Sequence, residues 1–244
     1  MIGKPFNILP TIDSTNNHAM RMIRAGMSRH GEVYLALEQT AGKGQMGRSW
    51  NSENGKNLML SVVLTEYLPP LDQQYALSVC AALACHDLFN AYAGEETSIK
   101  WPNDIFWRDR KAGGILIENF IHGGIWSHAI IGIGININQT AFPDVQRKAV
   151  SLKQITGKDH DPLNLARELC FLLGKRVKSL SGDGYPAMLE AYNTLLFKKG
   201  EQIRFSCNGQ IHEGIIQDVE ADGRLGILMN QTIHFRLGEI QWIL

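Results

Sequence analysis

The chain has 244 residues, 44% hydrophobic and 20% charged, which is ordinary for a soluble globular protein. Its 24 basic and 24 acidic side chains cancel, which argues against a general nucleic-acid or membrane-surface binder. The start lacks the apolar core of a secretion signal, no apolar run approaches membrane-spanning length, and the four cysteines form no Cys-x-x-Cys pair, so we expect a cytoplasmic protein with small core cysteines and no structural zinc.

The first elements predicted are a strand and a helix. Phe6–Ile12 has the short apolar pattern of a strand. Residues 13–17 are all helix N-cap types, and apolar residues at helical spacing follow them up to Gly26. On spacing alone Ser14 is a helix cap. A polar helix N-terminus that opens into a cavity could equally hydrogen-bond a small ligand.

A glycine-rich loop, residues 42–50, joins the predicted strands Val33–Gln39 and Leu58–Leu64. Its sequence is GKGQMGRSW, with Lys43 and Arg48 interleaved among three glycines. Such a backbone can lie close against an anion and turn its amides and cations toward a phosphate. By itself the signal is weak, because glycine-rich connections between strands are usually plain turns.

The middle of the chain predicts a long helix at residues 71–92, and then two short extended pieces around the turn KWPND, residues 100–104. A lysine at the end of a buried strand is costly unless an anion receives it, which draws attention to Lys100. Apolar strands are predicted at residues 115–117 and 126–131. Residues 132–138 then alternate Gly or Asn with Ile, which predicts either an exposed backbone face or a glycine-bulged strand.

The remaining sequence predicts two helices and a small all-β part. Residues 141–161 look irregular, and amphipathic helices are predicted at 162–179 and 185–197, with a Ser-Gly-Asp-Gly break between them. Residues 201–244 contain five short alternating runs separated by hairpin turns. We therefore expect an α+β domain at residues 1–197 and an appended β-domain at 198–244.

The glycine-rich loop and the downstream KWPND turn together resemble the biotin protein ligases, also called biotin–[acetyl-CoA-carboxylase] ligases. The resemblance covers nearly the whole chain. It implies a mixed β-sheet covered by helices, akin to the class II aminoacyl-tRNA synthetase catalytic fold, with a C-terminal SH3-like barrel. It also implies two half-reactions: biotin and MgATP give biotinyl-5′-AMP, and biotin then passes to one lysine of a carrier, such as the biotin carboxyl carrier domain of acetyl-CoA carboxylase. A homodimer is compatible with the family.

The chemistry needs cations rather than a base, because a carboxylate attacking an α-phosphate is already ionised. We predict Lys100, Lys43 and Arg48 as catalytic cations, with Lys100 bridging the biotin carboxylate and the α-phosphate. Family correspondence implies the biotin-binding residues Ser14, Thr15, Asn16, Gln39, Lys43, Gly44, Gln45, Lys100, Gly132 and Gly134. It implies the ATP-binding residues Arg48, Trp50, Lys111, Asn136 and Asn138. Asp104 either supports Mg²⁺ through water or stabilises the turn.

The sequence departs from the family in two ways. Many members carry arginines where this chain has Gln45 and Met46, so the loop should hold the adenylate less strongly by charge. We expect Gln45 to orient the ligand by hydrogen bonding and the loop to order only when ligand binds. Some relatives carry an N-terminal helix-turn-helix domain; here the catalytic pattern begins by Asp13, so no operator binding is expected.

Three other functions are alternatives to a biotin protein ligase. A lipoate–protein ligase shares the fold and the adenylation chemistry, although the KWPND turn and the Gly-Lys-Gly loop favour biotin. A P-loop nucleotidase is disfavoured because no Gly-Lys-Ser/Thr completes the pattern. A non-catalytic carrier-binding module would release no pyrophosphate from ATP and biotin.

Overall fold

The structure is a computed structural model that describes residues 1–142, 149–180 and 184–243. Its main element is a seven-stranded mixed sheet in the order β1-β2-β3-β7-β6-β5-β4. Only the β1–β2 pair is parallel, among the described residues, and the other neighbours are antiparallel. The strands are β1 Phe6–Ile12, β2 Val33–Gln39, β3 Leu58–Leu64, β4 Thr97–Lys100, β5 Asp104–Trp107, β6 Arg110–His122 and β7 Ile125–Ile135.

The parallel pair β1–β2 decides where the two functional loops meet. Ile12 is the register partner of Gln39, so both strands end at the same edge of the sheet. The predicted N-cap segment after β1 and the glycine-rich loop after β2 therefore start side by side. The central strand β3 is buried at every position, as expected for a strand that is apolar except at Ser61.

Five helices cover this sheet within the described ranges. They are α1 Thr15–Arg24, α2 Tyr75–Ala93, α3 Leu152–Thr156, α4 Pro162–Lys178 and α5 Gly184–Thr194. Helix α2 lies in the main core, whereas α1 covers the other face through a smaller cluster that includes Ala19 and Tyr34. Helix α4 begins as expected: Pro162 occupies its first turn and the Asp161 side chain accepts from the Leu163 amide.

The expectation that no apolar run approaches membrane-spanning length was wrong for helix α2. Tyr75–Ala93 is long and apolar enough to cross a membrane by length and composition, with a mean hydropathy of 1.2 over its best window. However, 67% of that window is buried inside the protein. The helix is apolar on all sides because it packs between the sheet and other helices, which is how a core helix of a large domain is built.

The residues from Gln202 onward form a second, antiparallel sheet that we call the C-terminal module (residues 202–243). Its five strands run in the order β11-β10-β9-β8-β12. They are β8 Gln202–Cys207, β9 Gln210–Val219, β10 Leu225–Leu228, β11 Thr232–Phe235 and β12 Ile240–Ile243. The predicted fold class, a mixed sheet covered by helices with a small SH3-like β-part, is confirmed.

Polar contacts attach the C-terminal module to the larger part. The Asn193 carboxamide accepts from the Val219 amide at 2.8 Å and donates to the Val219 carbonyl at 3.0 Å. The Tyr185 hydroxyl donates to the Ala221 carbonyl at 2.6 Å, and Trp101 Nε1 donates to the Gly223 carbonyl at 2.9 Å. Because Trp101 lies in the KWPND turn, the module is fixed directly against that turn.

Several boundaries differ from the sequence expectation. The segment expected to be irregular contains α3, which begins with a capping box of Ser151 and Gln154. The β6–β7 hairpin is longer than predicted because cross-strand pairing continues beyond the buried residues to exposed Ile125. Helix α2 begins at Tyr75 after a separate turn at Leu71–Gln73. Most of the predicted helix break at 181–184 and the end of the last strand at 244 lie outside the described residues.

Candidate active site

A small cavity lies where β1 and β2 end, between the α1 N-terminus, the glycine-rich loop and β7. Nine predicted biotin-binding residues line it: Ser14, Thr15, Asn16, Gln39, Lys43, Gly44, Gln45, Gly132 and Gly134. Of the predicted ATP-binding residues, Trp50 and Lys111 also line it. The empty space between these residues is about 470 Å³, and part of it is open to solvent.

The floor of the cavity is a connected hydrogen-bond network. The Thr15 amide and hydroxyl both donate to Gln39 Oε1, at 2.8 and 3.1 Å. The Ser61 hydroxyl lies 2.8 Å from Thr15 Oγ1 and 2.6 Å from Asn16 Oδ1. Asn16 Nδ2 donates to Glu118 Oε2 at 2.7 Å. Because these hydrogen bonds hold the carboxamides of Gln39 and Asn16, both side chains have fixed positions at the cavity.

Ser14 occupies the N-cap position of α1, yet its side chain makes no capping hydrogen bond there. It is 2% exposed and lines the cavity. Of the two interpretations left open by the sequence, this geometry favours the ligand-facing one. The α1 N-terminus thus presents the Ser14 hydroxyl to the cavity, an arrangement suited to a polar ligand.

Gly132 and Gly134 lie in regular register on β7 rather than in a bulge. Gly132 pairs with Ser61 on β3, and Gly134 pairs with Met59. A Cβ on Gly132 would overlap Asn16 Oδ1, and one on Gly134 would lie 2.6 Å from the Trp50 indole. Glycine is needed at both positions so that neighbouring side chains can lie against the strand backbone.

The glycine-rich loop folds back on itself above the cavity. The Gly44 amide donates to the Arg48 carbonyl at 2.7 Å, and the Trp50 amide to the Gly42 carbonyl at 2.9 Å. Between them, Met46 has a left-handed backbone with φ 55°. Its methyl group packs over Gly238 of the C-terminal module, where a Cβ would lie 3.1 Å from Met46 Cε. The loop therefore spans from the cavity to the module.

Trp50 lies across the side of the cavity that was assigned to the nucleotide from the sequence. Its ring rests on the backbone of Gly134 and Gly114. Lys111 Nζ lies 5.7 Å from the ring centroid. Trp50 Nε1 is buried and has no hydrogen-bond partner among the described residues. A buried donor left unpaired is costly, which indicates that the indole shifts or gains a partner when ligand enters.

The predicted cations are not all on the cavity wall. Lys111 forms a 2.7 Å ion pair with Asp104 Oδ1. Lys100, at the end of β4, is 2% exposed, and its ammonium lies over the Trp242 ring instead of on the wall formed by the described residues. Arg48 is exposed on the outer side of the loop. The structure thus brings Lys43 and Lys111 to the cavity and leaves Lys100 and Arg48 beside it.

Asn136 and Asn138 act on the backbone in this structure. Asn136 Nδ2 donates to the Val150 carbonyl at 3.2 Å. Asn138 donates to the His160 carbonyl at 2.7 Å and accepts from the His160 amide at 3.0 Å. Both carboxamides tie the segment around α3 to the end of β7. Their predicted role in ATP binding stays a prediction.

The residues do not fit a resident magnesium ion. Mg²⁺ prefers oxygen ligands and usually takes one or two carboxylates together with substrate phosphates. The Asp104 carboxylate is already paired with Lys111 at 2.7 Å. Among the described residues, no group of three His, Cys, Asp or Glu side chains could hold a metal. Of the two roles left open for Asp104, the geometry favours organisation of the turn and of Lys111.

Three residues that the sequence did not single out belong to the site. Ser61 and Glu118 complete the floor network, and Asn103 lines the cavity while its Nδ2 donates to the Ile115 carbonyl at 2.7 Å. The usable signal for Ser61 is a lone polar residue in the apolar strand LMLSVVL. Away from the site, burial raises the pKa of Cys80 and Cys170 to about 12, as expected for inert core thiols.

The fold and the cavity define a protein that binds a small polar ligand beneath a glycine-rich loop. Residues 8–136 match the biotin/lipoate A/B protein ligase family, and the chain belongs to that family. It is 30% identical over 226 residues to the biotin–[acetyl-CoA-carboxylase] ligase of Paracoccus denitrificans, covering 89% of this chain and 92% of that one.

Two further similarities bear on fold and length. The chain is 36% identical over 158 residues to the bifunctional ligase/repressor BirA of Bacillus spizizenii, covering 64% of this chain and 48% of the relative, so it spans about half of that protein. The Aquifex aeolicus biotin protein ligase structure in complex with biotin and ATP superimposes with a TM-score of 0.81 at 24% identity, covering 98% of this chain and 99% of that one. This last likeness shows the fold.

Proposed function

We propose that this protein is an ATP-dependent biotin protein ligase. It activates biotin as biotinyl-5′-AMP and transfers the biotinyl group to a lysine of a biotin carboxyl carrier protein or domain in the cytoplasm. The observation that carries the proposal is the convergence of nine predicted biotin-binding residues on one cavity. Membership of the biotin/lipoate ligase family supports it.

The floor network suits a ureido ring. Such a ring offers one carbonyl acceptor and two N–H donors. The Ser14 hydroxyl makes no capping hydrogen bond and can donate or accept, and the side chains of Asn16 and Gln39 are held in fixed orientations beside it. A site whose polar groups are preorganised rejects analogues that leave those groups unpaired. Lipoate has a dithiolane in place of the ureido ring, so it would leave this floor unsatisfied.

Adenylation on this site is mainly a problem of charge. A carboxylate oxygen of biotin forms a bond to the α-phosphorus of ATP, and the bond from that phosphorus to the bridging oxygen breaks, releasing pyrophosphate. No proton moves, but two anions must meet. Lys43 and Lys111 lie on the cavity wall, and Lys100 lies beside it, so an approaching pair of anions meets three cations. When bound, Mg²⁺ arrives on the triphosphate and neutralises part of its charge.

Transfer needs an acceptor amine and an open loop. The neutral ε-amine of the carrier lysine attacks the acyl carbon, the amide bond forms, AMP leaves, and the amine loses a proton to solvent. The glycine-rich loop lies over the cavity, so we expect it to move when ligand enters and leaves. Gln45, on the loop and on the cavity wall, is then the residue that can follow the ligand by hydrogen bonding.

The test is a matched pair of assays. Pyrophosphate release is measured with ATP, Mg²⁺ and either biotin or lipoate, and label transfer is measured with a purified biotin carboxyl carrier domain. We expect release and transfer with biotin, and a loss of about two to three orders of magnitude for Lys100→Ala. Preferential use of lipoate would make the chain a lipoate ligase, and no pyrophosphate with either acid would make it a non-catalytic carrier-binding module.

A further inference from the structure

The C-terminal module touches the lysine to which we assign the central charge-neutralising role. Lys100 Nζ lies 4.3 Å from the centroid of the Trp242 indole, and 5.6 Å from that of the Phe106 ring. Lys100 is 2% exposed and Trp242 is 8% exposed. This is a buried contact between strand β4 of the larger sheet and strand β12 of the module.

The face of the indole stabilises a cation in that position. Burial of an ammonium is costly, and attraction to an aromatic face, strongest for tryptophan, offsets part of the cost. Trp242 Nε1 is buried and makes no hydrogen bond to any described residue. The position of Trp242 is therefore explained by its ring rather than by its polar atom.

Trp242 is held rigidly. It pairs with Phe205 across β12 and β8, and its ring lies 6.1 Å from that of Phe197. The module itself is fixed against the KWPND turn by the hydrogen bond from Trp101 to Gly223. A side chain locked by packing on a docked sheet can define where a flexible lysine rests.

The resting position of Lys100 lies next to the cavity. Lys100 pairs across strands with Asp104. The Asp104 carboxylate lies against Lys111 and against the position where a Cβ on Gly114 would be, and both Lys111 and Gly114 line the cavity. A four-carbon lysine stem can carry the ammonium from the indole to anions that enter there.

We propose that Trp242 is a positioning residue for Lys100 in adenylate formation, so that the C-terminal module contributes to the first half-reaction. The inference rests on the proposed function. The indole helps to hold the Lys100 ammonium in one position before substrates bind. A cation–π contact is weaker than contact with two desolvated anions, so the ammonium leaves the ring when the carboxylate and the α-phosphate arrive.

The first test compares two substitutions at Trp242 in the full chain. Trp242→Leu removes the ring, and we expect kcat for biotin-dependent pyrophosphate release to fall about tenfold, with KM for biotin and ATP changed less. Trp242→Phe keeps an aromatic face and is expected to retain activity within about threefold of wild type. Tyr185→Phe, which removes a module contact away from Lys100, serves as the matched control with near wild-type kcat.

The second test is a double-mutant cycle that separates positioning from folding. If Trp242 acts through Lys100, the double variant Lys100→Ala/Trp242→Leu has the same single-turnover rate as Lys100→Ala alone. A tenfold loss in both backgrounds, or an unchanged kcat in the single variant, overturns the inference. Should the leucine variant melt at a lower temperature, Trp242→Met repeats the test with a flexible gap-filling side chain. Absence of biotin-dependent pyrophosphate release from the wild type would instead defeat the proposed function.

Discussion

The two sides of the cavity are built differently. On the side assigned to biotin, Thr15, Asn16 and Gln39 lie on rigid elements and are joined in one hydrogen-bond network. On the side assigned to the nucleotide, Trp50 lies across the strand backbone, Asn138 binds the His160 backbone, and Lys100 rests on Trp242. The first side is ready for ligand, and the second must rearrange to receive one.

This difference suits an ordered reaction. A preorganised pocket binds its ligand without an ordering cost, whereas a side that must rearrange uses the free energy of a first ligand to assemble. Biotin would then enter first and displace the loop, and ATP would follow. Substitutions on the two sides should accordingly have different signatures: lost biotin affinity on one, lost stability or loop order on the other.

The largest effect is expected for Gly132→Ala. Its Cβ would overlap Asn16 Oδ1, and moving Asn16 breaks its hydrogen bonds to Ser61 and Glu118. Losing two buried hydrogen bonds at a binding site costs about 3 kcal/mol, or about 100-fold in biotin affinity by calorimetry. Gly174→Ala, at a helical position with space for a methyl group, is the control and should bind biotin normally. Equal affinities would show that the biotin side is not rigid.

A smaller loss on the same side is expected for Glu118→Ala. The variant removes the acceptor that orients Asn16 Nδ2 at 2.7 Å, without adding bulk. A hydrogen bond to a charged group contributes about 1.5 kcal/mol or more, so biotin affinity should fall about tenfold. The control Glu38→Ala removes a carboxylate that binds Thr11 outside the cavity. If both variants bind biotin alike, the network does not set affinity.

On the side assigned to the nucleotide, Asn138→Ala separates a structural role of this carboxamide from a role in ATP binding. Asn138 makes two hydrogen bonds to the His160 backbone, so the variant should unfold at a temperature lower by about 4 °C, with biotin affinity unchanged. KM for ATP, measured on the folded protein, decides the remaining role. A raised KM without a lower melting temperature would mean that the Asn138 carboxamide binds ATP. It would contradict the structural role of its two hydrogen bonds to His160.

Much of the fold follows from local sequence. Local signals predict the mostly apolar strand β3, the Asp161–Pro162 start of α4 and the hairpin turns of the C-terminal module. The meeting of residues 14–16 with the glycine-rich loop could be predicted for the same reason, because both are short contiguous segments whose strands end together.

Contacts that depend on register or docking could not be predicted. Ser61 joins the floor network because it pairs with Gly132 across β3 and β7, and Glu118 joins it through the hydrogen bond from Asn16. Trp242 lies on Lys100 only because the C-terminal module docks against the KWPND turn. These contacts join residues that are far apart in sequence, and no local pattern predicts them. The hydrogen bonds between Asn138 and His160 could not be predicted for the same reason.

The smallest effect concerns the loop that joins the two sides. Met46 packs over Gly238 but is 69% exposed, so Met46→Ala should open the loop by less than 1 kcal/mol and speed tryptic cleavage after Lys43 about threefold. Saturating biotin should slow cleavage in both proteins, because a ligand that binds only the closed loop depletes the open one. Met27→Ala, at another exposed methionine, should cleave like wild type. Equal cleavage with and without biotin would mean that ligand binding does not order the glycine-rich loop. The loop would then not contribute to the difference between a preformed side and a side that assembles on binding.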